Sequence, residues 1–196
     1  LYWAGEYAVL EPGQLALIKA IPIYMTAEIK ASNNYRLYSD MFSYSVDMRP
    51  DSSYALIQET VALVEEYLTA QGVEPQPFSL DIRGKMEREG KKFGLGSSGS
   101  VVVLVIKTML AFYERLADRE LLFKLASAVL LKRGDNGSMG DIACIVSEDL
   151  VLYQSFDREK VAQWLEKEDL QAVLARDWGF SISSVEPALK FDFLVG

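Results

Sequence analysis

Six consecutive apolar residues, Val101-Val102-Val103-Leu104-Val105-Ile106, come directly after the small-residue stretch Gly94-Leu95-Gly96-Ser97-Ser98-Gly99-Ser100. An element that is apolar on every side has no face to give to water, so it must lie at the centre of a fold with other elements around it. Valine and isoleucine are mediocre helix formers, so burial rather than propensity has to hold the helix predicted over Ser100–Leu116. A helix that starts on glycines and serines offers backbone N–H groups and the positive end of its dipole to whatever lies in front of it. Two readings fit the loop itself: a flexible connection between elements, or a cradle for an anion such as phosphate. Two adjacent hydroxyls, paired glycines and the flanking Lys91-Lys92 favour the cradle. No lysine comes after the last glycine, so the loop is not a Walker A sequence, and its cationic partner has to be Lys91, Lys92 or a residue from elsewhere in the fold.

The chain has 196 residues, half of them apolar, enough for a substantial core in one domain. Its formal net charge of -8 opposes approach to a nucleic-acid backbone, so an anionic ligand has to be held by a local basic pocket. Arg83, Lys85, Arg88, Lys91 and Lys92 crowd the approach to the glycine loop against only Glu87 and Glu89. The same residues also fit a solvated hairpin of mixed charge. Cys144 is the single cysteine, which excludes a disulfide framework and a cysteine zinc site and suits a reducing cytoplasm. With no histidine in the chain, serine-histidine triads, cysteine-histidine dyads and histidine-ligated metals are excluded, and acid, base and metal work falls to Asp, Glu, Lys, Ser or Thr. No apolar stretch reaches the roughly 18–20 residues that span a bilayer, the longest being broken by Lys107, and no membrane partner is expected. The chain starts at Leu1 and stops at Gly196 inside apolar runs, the look of an excised piece.

Patterning predicts a strand from Leu1 into a turn at Glu11-Pro12-Gly13, strands within Leu15–Ile29 on either side of Pro22, and a half-buried strand at Tyr35–Ser39. Apolar residues at Leu56, Ile57, Val61, Leu63, Val64, Tyr67 and Leu68 predict a helix that stops at Gln71-Gly72. Phe78–Met86 alternates as a strand that delivers the glycine loop. Asp118 is placed to cap a helix with Leu121, Leu122, Leu125, Val129 and Leu130 on one face, ended by Gly134. Further expected elements are a strand at Leu150–Phe156, a helix capped by Asp157, a helical stretch near Leu170–Trp178 and a last strand at Leu189–Val195. The order lacks a regular βαβ rhythm. It predicts an α+β domain in which helices cover one face of a mixed or antiparallel sheet.

Gly134, Gly137 and Gly140 space a second loop that ends at Asp141, before the apolar run Ile142–Val146. If the two loops converge, Asp141 comes to stand beside a bound polyphosphate, where a carboxylate can hold Mg²⁺ or orient an attacking oxygen. Local sequence alone favours Asp141 as an ordinary helix N-cap or first-turn acid, and equally allows Ser138 as a turn former. The opening Leu1-Tyr2-Trp3-Ala4-Gly5-Glu6-Tyr7-Ala8-Val9-Leu10 says by pattern only strand, glycine turn and a short helix or strand.

Together, Gly5-Glu6-Tyr7-Ala8-Val9-Leu10, Gly94-Leu95-Gly96-Ser97-Ser98-Gly99-Ser100 and Gly137-Ser138-Met139-Gly140-Asp141-Ile142-Ala143 resemble, in order, three signature segments of the GHMP kinases. Lys85–Phe93, Lys132–Ser138 and Phe191–Gly196 are similar to the branch of that family whose acceptor is phosphomevalonate. The resemblance implies a ribosomal protein S5 domain 2-like fold and cytoplasmic transfer of the ATP γ-phosphoryl group to the phosphate of phosphomevalonate, in the mevalonate route to isoprenoids. It implies that Gly94, Leu95, Gly96, Ser97, Ser98, Gly99 and Ser100 cradle the ATP phosphates, with Ser98 close to Mg²⁺. Asp141 and Lys92 become the catalytic residues, and Lys92, Ser138 and Gly137 the acceptor-binding ones. An acceptor phosphate is already ionised near neutral pH, so an orienting role suits Asp141 better than that of a base. A lysine that the family carries just before the first segment would fall ahead of Leu1. The family's third glycine-rich motif belongs to a C-terminal domain absent from these residues, which implies that residues 1–196 alone are inactive. Where mevalonate kinases carry a Mg²⁺-binding glutamate, this chain has Leu130-Leu131-Lys132-Arg133. The alternatives are other family acceptors, such as mevalonate or homoserine, and a non-catalytic module, either a degenerate kinase that retains only anion affinity or an S5-like RNA-binding domain, the last opposed by the acidic charge.

Overall fold

The computed structural model describes residues 1–84, 87–88, 91–92 and 97–188, and of residues 87, 88, 91, 92 and 97 the backbone. The strand expected at Leu189–Val195 lies outside the described residues, as do Gly94, Leu95 and Gly96. The fold is α+β as expected, but its strands divide between two four-stranded sheets rather than one. The first sheet is antiparallel throughout, in the order β1 (Tyr2–Ala4), β2 (Leu15–Lys19), β9 (Leu150–Gln154), β10 (Ser181–Ser184). The second runs β3 (Thr26–Ala31), β6 (Phe78–Arg83), β4 (Arg36–Ser39), β5 (Ser45–Val46), with the β4–β6 pair parallel and its neighbours antiparallel. The break falls at Pro22, in the stretch read as one or two strands: β2 belongs to one sheet and β3 to the other, and a residue without a backbone N–H cannot continue a ladder. The mixed-charge approach to the glycine loop forms a two-stranded ribbon, β7 (Glu87–Arg88) against β8 (Lys91–Lys92).

The apolar run does what its composition requires. Helix α2 (Ser97–Phe112) touches α1 (Ala55–Ala70), α3 (Arg119–Lys132), α4 (Gly140–Ser147) and β3, and Val101, Val102, Val103, Val105, Ile106, Met109 and Leu110 are all buried. Burying a valine or isoleucine side chain is worth roughly 1.5–3 kcal/mol, against at most about 0.7 kcal/mol by which such a residue trails alanine in a helix, so packing decides the conformation. The helix starts three residues before the expected Ser100, so the serines and Gly99 form its first turn.

Helix α3 is capped as expected: the Asp118 carboxylate accepts from the Leu121 N–H at 2.8 Å, and Gly134 leaves the helix at φ 78°. It is buried on every side from Leu122 to Leu131, where one buried face was expected, because α2, α4, α5 (Arg158–Lys167) and α6 (Leu170–Ala175) surround it. Lys124 is drawn inside with it, donating to the carbonyls of Leu174 at 3.0 Å and Arg176 at 2.9 Å at the end of α6. Asp157 caps α5, and Asp169 caps α6 in the same way.

Candidate active site

The site is built where α4 enters the first sheet's inner face. Gly5, after β1, has φ 79°, and a Cβ there would overlap the Leu15 carbonyl, so the opening segment folds back on β2 only with glycine at this position. A short 3-10 turn over Ala8–Leu10 comes next, where a strand into the Glu11 turn was expected. The turn back sets Tyr2 of β1 opposite Ile18 of β2 and against the start of α4: a Cβ at Gly140 would collide with the Tyr2 hydroxyl and with Ile18. Met139, the residue at the N-cap position of α4, is buried with φ 62°, a left-handed backbone that non-glycine residues adopt only when neighbours enforce it.

Asp141 is therefore not the helix cap. It sits inside the first turn, where its Oδ1 accepts from the Ile142 N–H at 2.9 Å. Its Oδ2 stands over the first turn of α2: a Cβ added to Gly99 would come within 2.9 Å of Asp141 Oδ2 and of Ile142 Cδ1. The described end of the first glycine loop, at Gly99, thus meets the second loop at Asp141. Burial pushes the Asp141 carboxyl above the usual carboxylate range, only partly offset by the Ile142 N–H, and the charge of Asp135 adds to the rise. Among the described residues no lysine or arginine forms an ion pair with Asp141. A carboxyl raised by desolvation in the wall of a cavity marks a candidate functional site.

Asp141 and Ser100 open onto a cavity of about 400 Å³, within the range that holds small-molecule ligands. Its walls are the strap 20–25, Val103, Leu104 and Lys107 of α2, and Cys144, Ile145 and Glu148 at and beyond α4. Burial raises the Cys144 thiol to about 11, which leaves it unreactive near neutral pH. The charges at the rim are paired, Lys107 with Glu148 at 2.8 Å and Lys19 with Asp149 at 3.5 Å.

Of the expected site residues, the structure brings Gly99, Ser100 and Asp141 together, and Ser98 lies exposed in the same first turn of α2. Ser138 is buried, its hydroxyl sharing a 2.7 Å hydrogen bond with Tyr2 and accepting from the Gly140 N–H at 3.2 Å. The exposed Gly137 donates its N–H to Asp135 Oδ1 at 2.7 Å. Lys92 pairs through its backbone with Glu87 in the ribbon, and Ser97 opens α2. Sequence reasoning missed Tyr2 and Tyr153, whose hydroxyls hold the Ser138 segment. The usable signal was a tyrosine on the inner face of a predicted strand, which needs a hydroxyl partner once buried.

The glycine-started central helix with an acid from a second loop over its first turn is matched by family: residues 55–149 fit the GHMP kinases N terminal domain. Those residues form a GHMP kinase N-terminal domain. A phosphomevalonate kinase from Streptococcus pneumoniae, solved in complex with phosphomevalonate and AMPPNP, is 71% identical and superposes with a TM-score of 0.95 over 96% of this chain and 57% of its own. A protein from Listeria innocua, Lin0012, is 29% identical with a TM-score of 0.88, over 95% of this chain and 55% of its own. The curated phosphomevalonate kinase of Streptomyces sp. (strain CL190) is 26% identical over 213 residues, 97% of this chain and 57% of that protein. The chain thus spans a little over half the length of these relatives. Of the three signature segments, Gly5 folds β1 onto β2, and the second and third meet where Gly99, in the first turn of α2, faces Asp141 in the first turn of α4. No described helix is long and apolar enough to cross a membrane.

Proposed function

We propose that this chain carries the phosphoryl-transfer site of a phosphomevalonate kinase, which moves the γ-phosphoryl group of ATP to the phosphate of phosphomevalonate and yields diphosphomevalonate and ADP. An oxygen of the acceptor phosphate forms the new bond to the γ-phosphorus, and the bond to the β-phosphate oxygen breaks, leaving its electron pair on ADP. The observation that carries this reading is Asp141 Oδ2 held over Gly99 at the first turn of α2, with the cavity alongside. The 71% identity to a kinase whose structure holds phosphomevalonate and AMPPNP supports the choice of acceptor.

In this reading Gly94, Leu95, Gly96, Ser97, Ser98, Gly99 and Ser100 wrap the ATP phosphates, with backbone N–H groups and the dipole of α2 meeting their charge. Lys92, Ser138 and Gly137 serve the acceptor phosphate. Asp141 orients that phosphate, which needs little deprotonation, so holding geometry in a water-poor site is the main task of the carboxylate. The oxygen-only donors Ser98 and Asp141 suit Mg²⁺, which binds through one or two protein oxygens plus substrate phosphates and would neutralise charge on the transferring group. We place the reaction in the cytoplasm, where ATP is supplied. We further propose that the part of the relatives' length outside the shared portion completes the site, so that residues 1–196 alone turn over far more slowly than a chain of full length.

The test is Asp141→Asn in the full-length chain, assayed by coupled ADP release with phosphomevalonate and, in parallel, with mevalonate and homoserine. The expected outcome is turnover of phosphomevalonate only, reduced by roughly 10²–10³-fold in the variant with ATP affinity retained, the size of effect typical for loss of one transition-state contact. Unchanged turnover in the variant would assign the role to another residue, and preference for a hydroxyl acceptor would overturn the acceptor assignment.

A further inference from the structure

The loop that aims Asp141 has an unfavourable backbone and two tyrosines that hold it. Met139 is buried at φ 62°, a conformation costing about 1–2 kcal/mol for an L-residue, so it persists only where its neighbours are fixed on both sides. On the upstream side, Tyr153 of β9, fully buried, donates its hydroxyl to the Ser138 carbonyl at 2.7 Å. Tyr2 of β1 shares a 2.7 Å hydrogen bond with Ser138 Oγ, which in turn accepts from the Gly140 N–H at 3.2 Å. Both faces of the Ser138 unit, carbonyl and hydroxyl, are thus tied to separate strands of one sheet. On the downstream side the Tyr2 ring and Ile18 press against Gly140, leaving no room for a side chain. One residue further on stands the carboxylate over Gly99.

Resting on the kinase reading above, we propose that Tyr153 and Tyr2 are positioning residues: their hydroxyls lock the Ser138–Gly140 turn in its left-handed form and thereby fix where the Asp141 carboxylate meets the first turn of α2. Neither tyrosine lines the cavity onto which Asp141 opens. Their effect reaches the chemistry through geometry alone. Burial raises the Tyr2 and Tyr153 phenols above the usual range, so both stay protonated and both can donate throughout the physiological range. Tyr153 has the larger share, because nothing else described hydrogen-bonds the Ser138 carbonyl, whereas Ser138 Oγ keeps the Gly140 N–H when Tyr2 loses its hydroxyl.

The experiment is Tyr153→Phe and Tyr2→Phe in the full-length chain, each keeping the ring and removing only the oxygen. Two readouts are taken: steady-state kinetics with ATP and phosphomevalonate, and amide hydrogen exchange of the 137–147 peptide against the rest of the protein. The expected result for Tyr153→Phe is a kcat lower by about tenfold or more, as misplacing a catalytic group by a fraction of an ångström gives, with KM for ATP within about twofold. Exchange over 137–147 is expected to quicken while the peptides of β3, β6 and α1 are unchanged. Tyr2→Phe gives the same pattern in smaller degree. Unaltered exchange over 137–147, a uniform quickening across the whole protein, or a local quickening with kcat intact would each overturn the proposal. Should the unmodified enzyme fail to use phosphomevalonate, the kinase reading falls by that result and the exchange arm alone decides whether the tyrosines lock the turn.

Discussion

The two junctions that meet at the site, the start of α2 and the start of α4, are made in different ways. Helix α2 is 16 residues long and is held along its length by buried valines, isoleucine and methionine, so its first turn is fixed by the packing of the helix's own later turns. Helix α4 has 8 residues and is entered through a left-handed methionine, so its first turn is fixed by its surroundings, the Tyr2 ring, the Tyr153 hydroxyl and Ile18. A long apolar helix carries its own anchor; a short one borrows its anchor from a sheet. In this domain the borrowed junction holds Asp141 and the self-anchored one holds Gly99 and Ser100.

That contrast can be broken at its two glycines. Gly140→Ala should do the greater damage, because the new Cβ meets the Tyr2 hydroxyl and Ile18, the contacts on which α4 depends. Overpacking of this kind costs roughly 1–3 kcal/mol, and turnover is expected to fall by about 10²-fold as Asp141 shifts; chemical denaturation and ADP-release assays measure the two effects. Gly99→Ala brings a Cβ within 2.9 Å of Asp141 Oδ2 and Ile142 Cδ1, yet α2 itself stays anchored. Turnover is expected to drop by about 10-fold or more while stability changes by less than about 1 kcal/mol, since alanine gains as a helix former part of what crowding costs. A Gly99→Ala variant that unfolds as readily as Gly140→Ala would show that the two junctions share one anchor.

The smallest effect concerns Asp141 as a buried charge. Its folded pKa lies above the unfolded value, so the folded state binds the proton more tightly: the group favours folding below the unfolded pKa, and that contribution is lost as pH rises through the folded one. Asp141→Asn is accordingly expected to raise Tm at pH 7 by a few degrees, with the advantage shrinking as the pH falls through the raised folded pKa toward the unfolded one. A Tm that is lower than that of the parent at pH 7 would mean that the carboxylate is stabilised by its surroundings after all, and that the site is structural.

Much of the fold was legible because local pattern and burial agree in it. The 3.6-residue spacing of α1, the Asp118 and Asp157 caps, the glycine stop at Gly134 and the alternation of Phe78, Leu80 and Ile82 in β6 each had a single physical reading, and the structure contains them. The division of strands into two sheets was not legible, because alternation gives a strand its faces without giving its partner. The short β5 and β10 were missed for a related reason: Ser45–Val46 and Ser181–Ser184 are polar edge strands that gain their conformation from Leu37–Tyr38 and from Val151–Gln154. At the site, the glycine loop and Asp141 stood out by composition, whereas Tyr2 and Tyr153 looked like any strand tyrosines.

By itself the sequence determined that α2 is buried, that small residues open it, and that none of these 196 residues is a histidine, since these depend only on which side chains are present and how they are ordered. Only the tertiary structure decided that the Asp141 carboxylate stands over Gly99, that Met139 rather than Asp141 occupies the cap position, and that two strands hold the turn between them. Those facts depend on contacts between residues far apart in the chain, for which no local periodicity leaves a trace.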